Sequence, residues 1–217
     1  NYTSAYTDAL GDGCPLFGCT DSSACNYDSS ATDDDGSCDY GWNGECDLSD
    51  FCEVDDGTFD AGSWATWSGT DTDLPTVNAD GSYVVEQGAD FVSTLPVLST
   101  GVFEVSFDMN IATSGYFNFG NSGNTAAWDW ENQFYFNADG TATDDFGNTW
   151  TFTPSTSMSV STFIDLDNGA AVMQINGQTV VSWSWTGSLG GVNFYGGATT
   201  SDSFTIDNFS MCASEMP

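Results

Sequence analysis

Residues 102–111 read Val-Phe-Glu-Val-Ser-Phe-Asp-Met-Asn-Ile. Phe103, Val105, Phe107, Met109 and Ile111 fall on one parity, and Glu104, Ser106, Asp108 and Asn110 on the other. Successive side chains of a strand point to opposite faces, so this alternation specifies a half-buried strand, apolar inward and polar outward. Comparable runs occur at 115–119, 132–136, 149–153, 160–166, 170–175, 179–185, 191–195 and 203–211. Turn signals separate them, among them Asp167-Asn168-Gly169, Asn176-Gly177 and Gly190-Gly191. No segment keeps a helical spacing for long. The pattern predicts a mainly-β chain built as an antiparallel jelly-roll β-sandwich. In 203–211 the apolar parity shifts between Ile206 and Phe209, which predicts a bulge or a change of sheet near Asp207.

The sandwich pattern starts after Cys52. Residues 14–52 hold Cys14, Cys19, Cys25, Cys38, Cys46 and Cys52 with dense turn residues and little periodicity. Such a segment cannot build a core of its own and needs staples. We therefore expect an N-terminal arm over 1–13, a small disulfide-rich, acidic module over 14–52, and the sandwich over 53–217. Six cysteines in so short a run, with Cys212 alone near the end, indicate an oxidising, extracellular setting. Zinc is disfavoured, because the chain has no histidine and no C-x-x-C pair. No stretch of 18 apolar residues is present to span a membrane. A start at Asn1 suggests a processed, secreted product.

Charge narrows the function. The 217 residues carry 32 Asp and Glu and no Lys, Arg or His, for a formal net charge of −32. No salt bridge between side chains can form. Nucleic acid and anionic membrane surfaces would be repelled. A histidine base, a lysine nucleophile and an arginine phosphate clamp are all missing. Crowded carboxylates repel one another, which should raise their pKa values and invite divalent cations. Calcium suits Asp28, Asp33, Asp34, Asp35 and Asp39, although the spacing fails the EF-hand pattern, with Ala31 in the first ligand place.

Several segments resemble a known family. DDGTFDAGSWATW (55–67), GVFEVSFDMNI (101–111), FIDLDNGAAVMQINGQTVVSWSW (163–185), LGGVNFYGG (189–197) and FTIDNFSM (204–211) are similar, in this order, to the laminin-G-like or concanavalin-A-like jelly rolls of secreted proteins from aquatic Bacteroidetes. GCTDSSACNYDSSATDDDGSCDY (18–40) resembles a short cysteine-rich repeat on surface proteins of the same bacteria. The first resemblance implies a structural cation where the first and last strands meet, at Asp55, Asp56 and Asp207; edge-strand carboxylates that discourage aggregation are the alternative. In jelly rolls the first and last strands often lie side by side. If they do here, Cys52 and Cys212 meet and close a loop of about 160 residues, stabilising by roughly 4 to 5 kcal/mol. Cys19, Cys25, Cys38 and Cys46 are then expected to pair within 14–46, with Cys14 left over.

Concanavalin-type glycosidases carry their carboxylates as E-x-D-x-x-E, which this chain lacks. Asp129 and Glu131 are the nearest acidic pair in an aromatic setting, and a water-facing place at a strand entrance explains them as well. The chain is therefore read as non-catalytic. For sugar binding, Trp128 and Trp130 lie among polar residues and suit a stacking platform, whereas Trp183 and Trp185 share the parity of Val181 and belong to the core. Asn1 and Asn208 head weak N-x-S/T sequons. Two functions remain. One is a self-assembling structural subunit, a head-to-tail homopolymer in calcium-containing water with the arm or the cysteine-rich module at the joint. The other is a carbohydrate-binding or adhesion module acting on polysaccharide.

Overall fold

The computed structural model describes residues 15–24, 27–38, 51–59, 64–93, 97–121, 129–197 and 203–217. The chain divides into two compact units, Asn1–Leu48 and Ser49–Pro217, each taken by itself below. In the first, β1 (Phe17–Gly18) pairs in parallel with β2 (Asp33–Asp34), and a disulfide joins Cys19 to Cys38. Among its described residues Cys19 and Ala24 are the buried apolar side chains. Two small residues bury too little surface to hold a fold, so the staple matters here.

Among its described residues the second unit consists of strands joined by turns and loops, with one short turn of 3-10 helix. Its strands are β3 (Cys52–Val54), β4 (Trp64–Thr66), β5 (Thr76–Val77), β6 (Tyr83–Glu86), β7 (Asp90–Ser93), β8 (Val102–Ile111), β9 (Gly115–Gly120), β10 (Trp130–Phe136), β11 (Thr141–Asp144), β12 (Thr149–Thr151), β13 (Met158–Asp165), β14 (Ala170–Ile175), β15 (Gln178–Ser184), β16 (Gly191–Tyr195) and β17 (Ser203–Ala213). One sheet has seven strands in the order β12-β11-β10-β9-β16-β7-β4. The other has eight, β15-β14-β13-β8-β17-β6-β5, with β3 paired to the far half of β17. This is an antiparallel jelly-roll β-sandwich.

The alternation in 102–111 does what period 2 requires. Phe103, Val105, Phe107, Met109 and Ile111 are all buried between the sheets. Phe107 of the eight-stranded sheet meets Phe117 and Phe194 of the other, each with ring centroids 5.1 Å apart and near-perpendicular planes. Edge-to-face rings of this kind add to the burial that drives the two sheets together. Trp183 and Trp185 are buried as their parity predicts. Asn176 and Gly177 both have positive φ, 51° and 73°, the combination that a two-residue hairpin between β14 and β15 needs. The parity shift near Asp207 is a bulge: the register of β17 on β8 slips between Asp207 and Ser210, and Asn208 adopts φ 53°. The slip returns Phe209 and Met211 to the core. In the ladder of β3 with β17, Cys52 lies opposite Cys212, and a disulfide joins them.

With no cationic side chains to meet, the carboxylates close on their own backbone. Asp28 accepts from the amide and hydroxyl of Ser30, Asp80 from those of Ser82, and Asp139 from those of Thr141. Each is an Asx turn reinforced by the hydroxyl two residues on. At several of these turns the shift runs opposite to the rise expected of crowded carboxylates. Hydrogen bonds from Ser30, Ser37 and Thr58 hold Asp28, Asp35 and Asp56 below the ordinary aspartate value.

Candidate functional site

Three strands of the seven-stranded sheet, β10, β9 and β16, turn Phe134, Phe117 and Phe194 inward. The opposite parity must then point away from the core. In register it carries Gln133 and Tyr135 on β10, Tyr116 and Asn118 on β9, and Asn193 and Tyr195 on β16, with Asp90 of β7 opposite Tyr195. Gln133, Tyr135, Tyr116, Asn118, Asn193 and Asp90 belong to one hydrogen-bond chain across four strands. Asn118 Nδ2 donates to Asn193 Oδ1 at 2.8 Å, and Asn193 Nδ2 donates to Asp90 Oδ1 at 2.8 Å. In the other direction Asn118 Nδ2 donates to the Tyr116 hydroxyl at 3.1 Å, which donates to Gln133 Oε1 at 2.6 Å. Gln133 Nε2 and the Tyr135 hydroxyl then donate to Asp145, just beyond β11.

A carboxylate thus ends each arm, and an ionised carboxylate can only accept. That fixes the direction of every amide between them. Asn118 and Asn193 are 1% and 4% exposed, so their bonds are made out of bulk water, where a satisfied network is rigid and an unsatisfied one costly. Burial pushes the Asp90 carboxyl up to about 6, offset in part by the bond from Asn193 and reinforced by the charge of Asp73. Burial likewise pushes the Tyr116 phenol up to about 12. Tyr116, Gln133, Tyr135, Tyr195 and Gly196 of this sheet, with Phe204 of the other, line a cleft of about 500 Å³ where these strands end. Gly196 is there for space: a Cβ would stand 1.9 Å from the Glu86 carbonyl oxygen. Trp130, at the head of β10, is 47% exposed, with its ring centroid 6.0 Å from that of Trp67.

The residues singled out in the sequence are scattered by comparison. Trp130 belongs to this face; Trp128 lies outside the described residues, as do Asn1, Cys14, Cys25, Asp39 and Cys46. Asp129 is exposed, and Glu131 accepts from the amide and hydroxyl of Thr186. Asp33 accepts from Thr32, Asp34 from Gly36 and Asp35 from Ser37. Among the described residues no three acidic or thiol side chains converge where a metal ion would sit. Asp55, Asp56 and Asp207 each serve a different partner. Asp56 closes on Thr58, and Asp207 accepts from the Asn208 amide. Asp55 accepts from the indole of Trp64 on one sheet and the phenol of Tyr83 on the other. Asn208 is exposed at the bulge, with its side-chain amide donating to Asp108. Reading the sequence missed Tyr116, Asn118, Gln133, Tyr135, Asn193 and Asp90; the outward parity of runs already assigned as strands was the available signal.

Neither family models nor curated proteins give a match. Among solved structures the chain is similar to a sialidase, with a TM-score of 0.54 and 10% identity over 70% of this chain and 17% of that one. It is similar to an alginate lyase, with a TM-score of 0.53 and 12% identity over 72% and 96% of the two chains. A third is the Emp46p carbohydrate recognition domain in its potassium-bound form, at 0.50 and 12% over 71% and 90%. The chain spans under a fifth of the sialidase. At these identities the likeness is one of fold alone, an antiparallel jelly-roll β-sandwich.

Proposed function

We propose that the chain is a secreted carbohydrate-binding module and that the outer face of the seven-stranded sheet is its binding surface. The carboxylate-anchored chain of amides and phenols carries this reading. A sugar offers hydroxyls that need partners of fixed polarity and apolar ring faces that stack on aromatic rings. The network supplies the first without the cost of ordering free side chains, and Trp130 with the tyrosines of the cleft supplies the second. The fold likeness to the Emp46p carbohydrate recognition domain is consistent with this reading. The ligand is a neutral polysaccharide, because a chain of net charge −32 has no cationic side chain to receive a sugar carboxylate.

Asp90 and Asp145, the carboxylates at the two ends of the hydrogen-bond chain, lie three to four strand spacings apart, about 14 to 19 Å, too far to work as a catalytic pair. A two-carboxylate glycosidase needs its pair within roughly 10 Å. The head-to-tail filament expected from the arm gains no support, since residues 1–13 lie outside the described residues. Secretion enters through the two disulfides. Calcium enters through composition alone; thermal unfolding in excess chelator tests it, and an unchanged transition removes it.

Calorimetric titration of neutral polysaccharides into the protein tests the main reading. Trp130→Ala and Gln133→Ala should each weaken binding at least tenfold; the exposed Trp130→Ala should leave the melting temperature within about 2 °C, whereas Gln133→Ala also orphans the Tyr116 hydroxyl and should lower it by several degrees. Failure of the intact protein to bind any neutral glycan, or binding unchanged in both variants, would refute it.

A further inference from the structure

Residues 168–201 are the longest stretch of the chain without a carboxylate. They contain β14 and β15, and β15 is the outermost strand of the eight-stranded sheet. An outermost strand presents a row of backbone donors and acceptors to any other strand, and proteins commonly guard such edges with charge. This chain guards others. Glu53, Asp55 and Asp56 lie in or beside β3, Asp73 and Asp80 bracket β5, and Asp144 and Asp145 precede β12. With seven residues, β15 is longer than any of these three, and it bears no charge.

The carboxylates around it keep their charge but are held in place by hydrogen bonds, and the Asp144–Asp145 turn comes closest, with Phe146 and Asn148 sharing a cleft with Ser182–Ser184. Asp165 accepts from Asn168, Asp167 from the Gly101 amide, Glu131 from Thr186 and Asp144 from Asn148. Glu104 and Asp108, on β8, are three strands in from the edge. That is about 14 Å, beyond the roughly 8 Å over which charges act in physiological salt. A bulge leaves Val180 without a partner in the register on β14, so Val181–Ser184 is the regular part of the edge. There Ser182 and Ser184 are exposed while Trp183 is buried in the core.

We propose that β15 is a self-pairing edge, along which two copies of this chain join antiparallel through Val181–Ser184 across a two-fold axis. The occupant follows from charge. A second copy carries the same −32 and is repelled wherever carboxylates face each other, so an uncharged edge is where it approaches at least cost. Two-fold antiparallel pairing satisfies the free backbone groups of both copies with the same atoms and closes as a dimer instead of propagating.

Sedimentation of the full chain over a range of concentrations, in low and high salt, tests this. The mass should rise toward two chains with concentration, and more readily in high salt, which screens the residual repulsion. In Ser182→Glu the two-fold axis brings each new carboxylate close to its own copy, and dimerisation should weaken roughly tenfold or more. Ser182→Lys alone should also be weakened, and an equimolar mixture of the two variants should regain the dimer. Both substitutions are on an exposed position, and matching melting curves confirm that they fold. A wild type that stays monomeric in high salt, a Ser182→Glu variant that pairs as well as wild type, or growth beyond dimers would overturn the proposal.

Discussion

Replacing Asp55 by alanine removes an acceptor that both sheets share. Asp55 follows β3, and its carboxylate receives the Trp64 Nε1 proton at 2.9 Å, the Tyr83 hydroxyl at 2.9 Å and the Gly57 amide at 3.1 Å. Trp64 and Tyr83 are 2% and 1% exposed, so neither donor can turn to water when the acceptor goes. Burial and the Asp55 carboxylate together push the Tyr83 phenol well above its ordinary pKa, so it remains a donor at any working pH. A hydrogen bond to a charged group contributes about 1.5–3 kcal/mol; three are lost, and the two from buried side chains, which water cannot replace, should by themselves make Asp55→Ala cost about 3–6 kcal/mol. For a domain of this size that is a fall in melting temperature of roughly 6 to 24 °C. Tyr83→Phe deletes one donor and should cost about 1.5–3 kcal/mol. Guanidinium unfolding of both single variants and of the double variant completes the cycle. The double should be less destabilised than the sum, because removing the phenol leaves one donor fewer to be orphaned. Strict additivity, or an Asp55→Ala loss under about 1 kcal/mol, would refute the shared-acceptor account.

Three further outcomes follow from the same structure. Replacing Cys52 and Cys212 together by serine opens a loop whose ends are 160 residues apart, which costs about 5 kcal/mol in the chain-entropy model and should lower the melting temperature by roughly 10 to 20 °C under non-reducing conditions. Asp28, Asp35, Asp56, Asp80, Asp139 and Asp165 are held below their ordinary pKa by turn hydrogen bonds, so their contribution is complete above pH 4 and is lost as pH falls further; acid unfolding followed by circular dichroism should therefore begin below pH 4. Asp90 has the opposite sign: its carboxyl is raised to about 6, so its ionisation costs stability progressively from about pH 4 to 6, and Asp90→Asn should be more stable than wild type at pH 7 but not at pH 4. Melting temperatures of both proteins across that range check it.

Long strands were legible because period 2 needs several residues to declare itself. β8 runs for ten residues and β13 for eight, and each alternates over most of its length. β6 (YVVE), β7 (DFVS) and β11 (TATD) have four residues each, too few to separate a strand from a turn by pattern. The site was hidden for a different reason. The parity of Tyr116 and Asn118 was available, but their neighbours on β16 come from more than seventy residues further along the chain, and strand order is not written in periodicity. Acidic runs attracted the cation reading because a sequence shows adjacency. It does not show that Asp34 and Asp35 each accept from the amide two residues downstream.

The bond between Cys52 and Cys212 also decides how the sandwich meets a mechanical load. The strands β4 to β16 lie between those two residues in sequence. A pull on the chain from either side therefore crosses from one cysteine to the other through a covalent link and bypasses the core. About 530 to 580 Å of extended chain, the length of 160 residues, is withheld from stretching. Under tension the sandwich behaves as a knot of fixed length on the line of force, and the outer face of its seven-stranded sheet keeps its geometry until a reductant cuts the shortcut.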